Sequence, residues 1–470
     1  MSFQRILGLA AGLGACLLLG CRTTASGTPP NVLFIAIDDL RPELGCYGVE
    51  HARSPNLDRF ASTALVFTRH YANSPSCGPS RYALLTGRSP RTSGVTRNNQ
   101  ALYQGQAKLS LDPGAGVQSL PELFRANGYH TSLIGKISHT PDGKVFAYDG
   151  SGDGHAELPG AWDEYATPTG EWDRGWGAFF AYAGGRHRED GQGYAPLMEF
   201  TAERDTDLPD GQMAQRAVQQ LRNMAESDQP FFLGLGFFKP HLPFVATRAD
   251  WAAMQSVELP APPAPERTES AYQHGSGEFF RYQNEFEQAR KPSPAEQVDV
   301  RRAYAACVRF VDRQVGLVLD ELERLGLAEN TIVVVWGDHG WHLGDSAMWG
   351  KHTPHERALR SALIVRAPGA LAGASTPALT EAIDLLPTLA ELAGLPERRM
   401  RWPMDGISQA PVLRGQVPSV RELAVSHWGK VRSVRSTEFR AIASVDGSGA
   451  SSKLELYAEA AGEDPTRNLA

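Results

Sequence analysis

A short segment around Cys77 combines residue types that suit nucleophilic chemistry on an anion. The segment reads SCGPSRYALLTGR and runs from Ser76 to Arg88. Pro79 fixes its own φ angle and restricts the glycine before it, so the chain turns sharply just after the thiol. Residues Tyr82 to Leu85 predict a helix, and its N-terminus would place Cys77 and Arg81 where an anion can bind. A lone cysteine in such a turn is most often an ordinary loop residue, so the interpretation depends on the whole string.

Four predicted strands are each followed directly by acids, cations or imidazoles. Each strand is a continuous apolar run, which is typical of a strand buried on both faces of a parallel sheet. Ligands bind beyond the carboxyl ends of the strands in such a sheet, so we expect the residues that follow to converge at one edge. The strands and the residues after them are Asn31–Ile37 with Asp38 and Asp39, Tyr129–Ile134 with Lys136 and His139, Phe231–Phe237 with Lys239 and His241, and Thr331–Trp336 with Asp338 and His339.

The acids at two of these strand ends predict a site for a divalent cation. Two adjacent acids such as Asp38 and Asp39 are by themselves most often a solvated turn. Asp338 and His339 arrive from another strand, however, and the two pairs together can surround one ion. Ligation dominated by oxygen favours calcium or magnesium over zinc, which prefers nitrogen and sulfur.

The segment that begins at Cys77 resembles the signature of the type I sulfatases, which belong to the alkaline phosphatase superfamily. The resemblance covers nearly the whole chain after residue 30, and it is strongest to the bacterial branch that is similar to iduronate-2-sulfatase. Three features carry this closer resemblance: the segment DDLRP from Asp38, the three-residue step from Lys136 to His139, and the segment KPHLP from Lys239.

The resemblance implies a modified nucleophile and a bound calcium ion. In this family the cysteine at the position of Cys77 is oxidised after translation to formylglycine by a formylglycine-generating enzyme. The aldehyde-derived oxygen then completes a calcium site. The ligands that this chain would supply are Asp38, Asp39, Cys77, Asp338 and His339.

The resemblance also implies how sulfate is transferred and released. The hydrated aldehyde of residue 77 attacks sulfur, and His241 or Lys351 protonates the departing alcohol. A second hydroxyl, deprotonated by His139, then expels sulfate and restores the aldehyde. Charge that accumulates in the transition state would be stabilised by preorganised cations. These cations are Arg81, Lys136 and Lys351.

Three functions follow from these residues, and the first is the leading hypothesis. It is a hydrolase that removes sulfate from a sulfated carbohydrate. The second is a phosphate or phosphonate ester hydrolase of the same superfamily, and the third is a surface lipoprotein that binds sulfated glycans while Cys77 remains a thiol. Specificity is expected in loops 150–188 and 258–290. The tryptophans of the first loop form either a sugar-binding wall or the core of the loop itself; they are Trp162, Trp172 and Trp176.

The elements that must position these residues predict an α/β fold with a large, mostly parallel sheet sandwiched by helices. A fifth buried strand is predicted at Ala362–Val365. We expect residues 31–404 to form the catalytic domain and residues 405–470 a smaller C-terminal α+β subdomain, because the pattern there changes to shorter strands and turns. The predicted helices are Pro55–Ala64, Ser119–Asn127, Asp210–Glu226, Ala295–Leu325 and Asp384–Ala393.

The N-terminus predicts export of the protein. Residues 6–19 form an apolar run too short for a comfortable membrane span, and the sequence LLGC that ends at Cys21 resembles a bacterial lipobox. We therefore expect a lipoprotein signal peptide at 1–20, a flexible tether at 21–30 and a lipid anchor in the outer membrane or at the cell surface. A conventional secretion signal, which would leave the protein periplasmic, is the competing interpretation.

Charge and cysteine content narrow the classes of partner. The 470 residues carry a formal net charge of −7, which argues against a nucleic-acid-binding protein. Apart from the predicted lipid and nucleophile positions, the exported chain retains only Cys46 and Cys307, too few for a disulfide framework. Cys307 lies in a helical apolar pattern and is expected to be a small buried hydrophobe.

Overall fold

The computed structural model describes residues 28–98, 117–191, 195–262, 264–266, 268, 270–273, 277–283, 292–395, 403–458 and 467–470. The predicted signal peptide and nearly all of the predicted tether lie outside the described residues. Within these ranges, no helix combines the length and the apolar character that crossing a membrane requires.

The strands end close to where the apolar runs end. All five predicted strands are present, each within one residue of its predicted bounds. In chain order the strands are β1 Asn31–Ile37, β2 Leu65–Tyr71, β3 His130–Gly135, β4 Glu164–Tyr165, β5 Met198–Ala202, β6 Phe231–Phe237, β7 Phe244–Thr247, β8 Thr331–Gly337, β9 His342–Leu343, β10 Trp349–Gly350, β11 Arg360–Ser361, β12 Leu363–Arg366, β13 Ala374–Glu381, β14 Ala424–Trp428, β15 Val431–Arg435, β16 Phe439–Val445 and β17 Ser451–Ala458.

The five predicted helices are all present, each within three residues of its predicted bounds. Several have proline in the first turn, where the missing N–H is not needed. They are α1 Pro55–Ala61, α2 Cys77–Thr86, α3 Pro90–Ser93, α4 Leu120–Arg125, α5 Gly175–Phe179, α6 Pro209–Met224, α7 Arg248–Gln255, α8 Pro294–Arg324, α9 Glu356–Leu359, α10 Leu385–Leu392 and α11 Ala410–Leu413.

One sheet of nine strands organises the molecule. Eight strands lie in the order β11-β2-β12-β8-β1-β6-β3-β4, and β13 pairs with β2. The central neighbours β8, β1, β6 and β3 are all parallel. The predicted strand at 362–365 corresponds to β12, which runs antiparallel to both β8 and β2. The sheet is therefore mixed but mostly parallel, and the predicted fold class is confirmed.

The central strand β1 is buried on both faces, as its apolar run predicts. Leu33, Ile35 and Ile37 pack in one hydrophobic core, whereas Val32 and Phe34 pack in the core on the opposite face. The alternation follows from the period of two along a strand, and it requires helices on both sides of the sheet. The first core contains residues of α6 and α8, and the second contains residues of α4 and α10.

The longest helix, α8, begins at a complete capping box. The Ser293 side chain accepts a hydrogen bond from the Glu296 backbone N–H, and the Glu296 carboxylate accepts one from the Ser293 N–H at 2.8 Å. These two bonds satisfy groups that would otherwise lack a partner at the helix start. Cys307 is fully buried in the interior of α8, in agreement with its predicted role as a small hydrophobe.

The C-terminal part contains a separate four-stranded antiparallel sheet in the order β14-β15-β16-β17. It is attached to the large sheet by buried polar contacts. The His427 N–H donates to the Asn73 carbonyl at 2.8 Å, and Arg440 forms an ion pair with Glu356. A smaller C-terminal subdomain with strands is thus present, and its boundary at residue 405 stays a prediction.

Candidate active site

Tight turns at the ends of the parallel strands direct polar side chains to one place. Asp39, directly after β1, has a φ angle of +60°, a left-handed conformation that asparagine and aspartate tolerate better than most residues. This turn allows the carboxylates of Asp38 and Asp39 to face the same cluster. At the neighbouring strand ends, a Cβ atom on Gly135 would lie 2.0 Å from the Gly236 carbonyl oxygen. Glycine at that position thus permits the close approach that sets the position of Lys136.

Cys77 is the first residue of α2 and lies at the centre of this cluster. Its side chain is buried, and three charged or ionisable side chains surround Sγ. The thiol lies 3.4 Å from Oδ1 of Asp38, 3.3 Å from Nε2 of His339 and 3.2 Å from Nζ of Lys351. The helix predicted from Tyr82 to Leu85 is present and extends back to Cys77, so the thiol does lie at a helix N-terminus.

Four of the five predicted metal ligands lie close enough to hold one ion. Ligand atoms of Asp38, Asp39, Cys77 and His339 all lie within 4.8 Å of one another. The buried Oδ2 of Asp39 has no hydrogen-bond partner among the described residues. Nδ1 of His339 lies 3.0 Å from the carbonyl of Gly340; because a carbonyl can only accept, Nδ1 is the donor of this bond, and Nε2 faces the cluster.

The fifth predicted ligand, Asp338, lies beside this group. Its Oδ1 accepts the backbone N–H groups of Asp39 and His339, both at 3.0 Å, and its Oδ2 accepts Nε–H of Arg81 at 2.9 Å. Oδ1 of Asp338 also lies 3.7 Å from Nε2 of His339. Asp338 therefore fixes the backbone at Asp39 and His339 and holds the side chain of Arg81.

The three predicted cations each contact one of the carboxylates. Lys136 pairs with Asp38, Arg81 pairs with Asp338 at 2.9 Å, and Lys351 pairs with Asp39 at 2.9 Å. All of these groups are almost completely buried. Removing one member of such a buried pair typically costs about 3–5 kcal/mol, because the other charge is left unpaired.

Electrostatics separates the two adjacent aspartates. Burial raises the pKa of both carboxyls, but for Asp38 the nearby charges of Lys136 and Arg81 outweigh burial and hold its pKa well below the usual range. For Asp39 burial dominates, and the pKa is raised well above the usual range despite Lys351. The carboxylate of Asp38 is therefore strongly stabilised in its charged form, whereas Lys351 compensates the charge of Asp39 only in part.

The Cys77 thiol is a poor nucleophile in this environment. Burial and, after it, the charge of Asp38 raise its pKa to about 12, although the two nearby lysines oppose the shift. The thiolate is the reactive form of cysteine, and at neutral pH almost none of it is present. The surroundings of an unmodified Cys77 therefore fix the position of its thiol but do not convert it to the reactive thiolate.

His139 and His241 both reach the cluster from neighbouring strand ends. Burial and then Lys136 lower the pKa of His139 well below its usual value, so its ring is neutral and can accept a proton. Nδ1 of His139 has no hydrogen-bond partner among the described residues, and its ring lies against Trp176 with centroids 5.6 Å apart. Burial and then Lys351 lower the pKa of His241 to about 4.

Glu278 is a site residue that the sequence does not reveal. Its Oε1 lies 2.8 Å from Nε2 of His241, and its Oε2 lies 3.4 Å from Nζ of Lys351. It belongs to loop 258–290, in which specificity was expected, but no motif surrounds it. Lys239, by contrast, follows β6 without facing the cluster, because its Nζ donates to the carbonyls of His241 and Pro243 at 3.1 and 2.7 Å.

The tryptophans of loop 150–188 are buried in the protein instead of forming an open wall. Trp162, Trp172 and Trp176 are all buried. The indole N–H of Trp172 donates to the Tyr182 carbonyl and that of Trp176 donates to the Phe146 carbonyl, both at 2.9 Å. Trp172 and Trp176 pack in the hydrophobic core on one face of the large sheet and Trp162 packs in the core on the other face, so the structure supports burial of these side chains over a sugar-binding wall.

Comparisons with known proteins identify the family of this chain. The family model described as Sulfatase matches residues 30–395. A sulfatase from Formosa agariphila is 31% identical over 418 residues, which cover 82% of this chain and 74% of that protein. Iduronate 2-sulfatase from Homo sapiens is 32% identical over 435 residues, which cover 83% and 74%.

Solved structures share the fold over nearly the whole chain. A phosphonate monoester hydrolase from Silicibacter pomeroyi has a TM-score of 0.71 and 25% identity, and the match covers 94% of this chain and 91% of that one. A protein solved with its substrate D-glucosamine-2-N,6-O-disulfate has a TM-score of 0.66 and 21% identity, covering 92% and 91%. The family match over most of the chain, together with relatives above 30% identity, shows that the chain belongs to the sulfatase family and is a sulfuric ester hydrolase.

Proposed function

We propose that the protein removes sulfate from a sulfated carbohydrate, with the modified side chain of residue 77 as nucleophile. The observation that carries the proposal is the arrangement around Cys77: a buried thiol at a helix N-terminus, within 3.5 Å of Asp38, His339 and Lys351. A site of this kind combines a nucleophile position, metal-ligand atoms and fixed cations, which are the parts needed to transfer an anionic group.

Calcium is the ion proposed for the metal site. The donors fit, because two carboxylates and one imidazole converge and the buried Oδ2 of Asp39 lacks a hydrogen-bond partner among the described residues. Asp38, Asp39 and His339 would hold the ion together with the oxygen of modified Cys77, and Asp338 is the proposed further ligand. When bound, the ion supplies positive charge that acidifies a coordinated hydroxyl and polarises the sulfate group.

Conversion of Cys77 to formylglycine is proposed on the signature of residues 76–88 and on the environment of the thiol. The pKa of about 12 leaves the unmodified side chain protonated at neutral pH, so the site as described does not generate a thiolate nucleophile. The hydrated aldehyde supplies two hydroxyl groups, one for attack on sulfur and one for release of sulfate. Conversion requires a formylglycine-generating enzyme as the maturation partner.

The remaining residues have roles that follow from their charge. Arg81 and Lys136 are fixed beside Asp338 and Asp38 and would stabilise the negative charge on the sulfate oxygens. His139 has a lowered pKa and an unpaired Nδ1 among the described residues, so it can accept the proton whose loss accompanies sulfate release. The two donor candidates for the leaving alcohol are His241 and Lys351.

Of these two donors, Lys351 is the one whose protonated form is more strongly stabilised. Burial opposes its charge, but Asp39 and the neighbouring groups outweigh burial and hold the pKa of Lys351 well above its usual value. His241 has a pKa lowered to about 4, and both of its ring nitrogens are already engaged, Nδ1 with the Leu242 carbonyl at 2.6 Å and Nε2 with the Glu278 carboxylate at 2.8 Å. We therefore assign the proton for the leaving alcohol to Lys351 and assign His241 to binding the substrate.

A sulfated sugar as substrate is supported by the similarity to human iduronate 2-sulfatase, whose name places its sulfate on a sugar. Export with a lipid anchor at Cys21, to the outer membrane or the cell surface, is proposed from the lipobox-like sequence alone. Either location would bring the active site into contact with polysaccharides outside the cytoplasm.

A phosphonate or phosphate ester is the second candidate substrate. The observation that favours it is the structural similarity to the phosphonate monoester hydrolase, at a TM-score of 0.71. Parallel assays on the sulfate, phosphate and phosphonate esters of one alcohol test the proposal. A kcat/KM highest for the sulfate ester is expected; a higher value for the phosphonate ester would replace the proposal with the second candidate.

A further inference from the structure

A cavity outside the cluster around Cys77 is lined by arginines that the proposed reaction does not use. Its volume is about 520 Å³, which lies within the range of small-molecule sites. Four guanidinium groups contribute to the wall: Arg41, Arg301, Arg357 and Arg360.

Two of these arginines already have carboxylate partners. Nε of Arg41 lies 2.6 Å from Glu43 and Nη1 of Arg41 lies 2.8 Å from Asp345. Arg357 shares Asp345 at 3.2 Å. The acidic side chains around these two arginines are therefore engaged and leave no free carboxylate for the other cations of the wall.

The other two arginines have no carboxylate within ion-pair distance among the described residues. Arg301 donates to the carbonyl of Pro260, and Arg360 donates through Nε to the carbonyl of Thr68 at 2.8 Å. Glu356 also lines the cavity, but its carboxylate pairs with Arg440. The wall thus contains two guanidinium groups without a direct ion-pair partner among the described residues.

Arg301 is the strongest sign that a ligand belongs here. Its side chain is only 6% exposed, yet its Nε has no hydrogen-bond partner among the described residues. Burial lowers the pKa of Arg301; the nearby Glu43 and Asp345 oppose this shift, whereas Arg41 and Arg357 add to it. A buried guanidinium without a direct ion-pair partner is costly, so an anion in the cavity would reduce a penalty that the fold otherwise carries.

None of the residues that line this cavity belongs to the metal-ligand cluster around Cys77. The hydroxyl of Tyr304 donates to the carbonyl of Asp39 and accepts the N–H of Arg41, so these two residues are held in a fixed turn. The Asp39 side chain faces the metal-ligand cluster, whereas the Arg41 side chain lines the cavity. The cavity is therefore a different site from the one proposed for sulfate transfer.

We propose that this cavity binds an oxyanion carried on a sugar-sized molecule, with Arg301 as its principal partner. The planar guanidinium suits both carboxylate and sulfate groups, because it presents paired N–H donors. Apolar and aromatic surface is available for the rest of the ligand at Pro42, Tyr47 and Val49. The catalytic cluster lies elsewhere, so the site binds its ligand without transforming it.

The proposal is tested by binding measurements on the full chain and on two matched variants. The probes are D-glucuronate for a carboxylate, inorganic sulfate for a sulfate and D-glucose as the neutral control. Arg301→Gln removes the proposed partner. Arg302→Gln is the control, because the neighbouring Arg302 donates instead to Met254 and Asp299 and does not line the cavity.

In a calorimetric titration, Arg301→Gln is expected to weaken D-glucuronate binding at least about tenfold, whereas Arg302→Gln changes it less than about twofold. Inorganic sulfate is also the product of the proposed reaction and is expected to bind the active site. The sulfate binding that depends on Arg301 is therefore the difference between the titrations of wild type and Arg301→Gln. Loss of either oxyanion's binding in Arg301→Gln supports the site and identifies which anion it takes. Equal binding of both oxyanions to wild type and Arg301→Gln, or equally tight D-glucose binding, would overturn the proposal.

A second variant keeps the test valid if Arg301→Gln does not fold. Val49→Trp fills the cavity from its half-buried rim and leaves every arginine in place. It is expected to abolish oxyanion binding in the cavity while KM for a small aryl sulfate stays unchanged. Unchanged D-glucuronate and sulfate binding in Val49→Trp would contradict the proposal independently of Arg301.

Discussion

Nζ of Lys351 lies 3.2 Å from Sγ of Cys77 and 2.9 Å from Oδ1 of Asp39, although Lys351 and Cys77 are 274 positions apart in the chain. The contact joins the start of α2 to the segment after β10 and the turn after β1. Lys351 therefore touches both the nucleophile position and a proposed metal ligand, which makes it the cation best placed to act on the reacting group.

Lys351→Ala and His241→Ala separate the proton donor from the substrate-binding imidazole. A proton donor matters most when the leaving group is a poor one. We expect kcat of Lys351→Ala to fall about tenfold further on a sugar sulfate than on an aryl sulfate with an acidic phenol, whereas His241→Ala falls equally on both. The opposite order, with the selective loss in His241→Ala, would assign the proton to His241.

Removal of the proposed calcium ion is expected to destabilise the protein as well as to inactivate it, because the adjacent carboxyl groups of Asp38 and Asp39 would lose the positive charge of the ion. Dialysis against a calcium chelator should lower both the melting temperature and the activity, and added Ca²⁺ should restore both. Asp39→Asn should raise the Ca²⁺ concentration needed for half of the thermal shift by at least about tenfold. The control is Asp153→Asn, whose side chain is 76% exposed. A melting temperature that does not respond to chelator or Ca²⁺ would contradict the metal site.

Glu278→Gln tests how the carboxylate between His241 and Lys351 acts. A sulfate group that uses the same two donors must displace Glu278, so its negative charge opposes anion binding. We expect inorganic sulfate to inhibit Glu278→Gln about fivefold more tightly than wild type, a change of about 1 kcal/mol. Glu203→Gln, an exposed residue paired with Arg248, should leave the inhibition constant unchanged. Weaker inhibition of Glu278→Gln would mean that Glu278 organises the two donors instead of competing with sulfate.

His70 should make the fold sensitive to acid. The Trp336 indole N–H donates to its Nε2 at 3.0 Å, and burial lowers its pKa to about 3. A histidine with a lowered folded pKa stabilises the protein above its unfolded pKa of about 6.5, and that stability is lost as the pH falls toward the folded value.

Between pH 7 and pH 5 the loss from His70 is about 2 kcal/mol in the free energy of unfolding. Urea unfolding at the two pH values measures it. His70→Gln, whose amide oxygen can still accept from Trp336, is expected to reduce the difference between the two pH values by that amount. His130→Gln, a half-exposed control, should not reduce it; an undiminished difference in His70→Gln would show that the buried imidazole does not cause the acid sensitivity.

The sequence predicts the centre of the sheet and most of the site, because the site residues directly follow the apolar runs that form the central strands. The apolar run of β1 can only be buried on both faces, and the acids after it must lie at the sheet edge. The same reasoning places Lys136, His241 and Asp338 beside them. Residues at strand ends are thus predictable, since a short stretch of sequence fixes both their element and their position.

Other features depend on contacts that no local pattern records. Strand β2 reads LVFTRHY and mixes polar with apolar residues, so it gives no continuous run, and β13 pairs with it across about 300 residues. Glu278 reaches His241 from a long loop, and the burial of Trp172 depends on how that part of the chain folds on itself. These positions follow from tertiary packing and not from periodicity.

The proposed mechanism depends on the conversion of Cys77 to formylglycine. The mass of the peptide that contains residue 77 measures this conversion directly. The protein should be produced together with a formylglycine-generating enzyme, digested and measured by mass spectrometry. Residue 77 is expected to have the mass of an aldehyde, and the converted fraction is expected to rise in proportion to sulfate ester hydrolysis. An unmodified thiol at residue 77 in protein that hydrolyses sulfate esters at full rate would contradict the proposed mechanism.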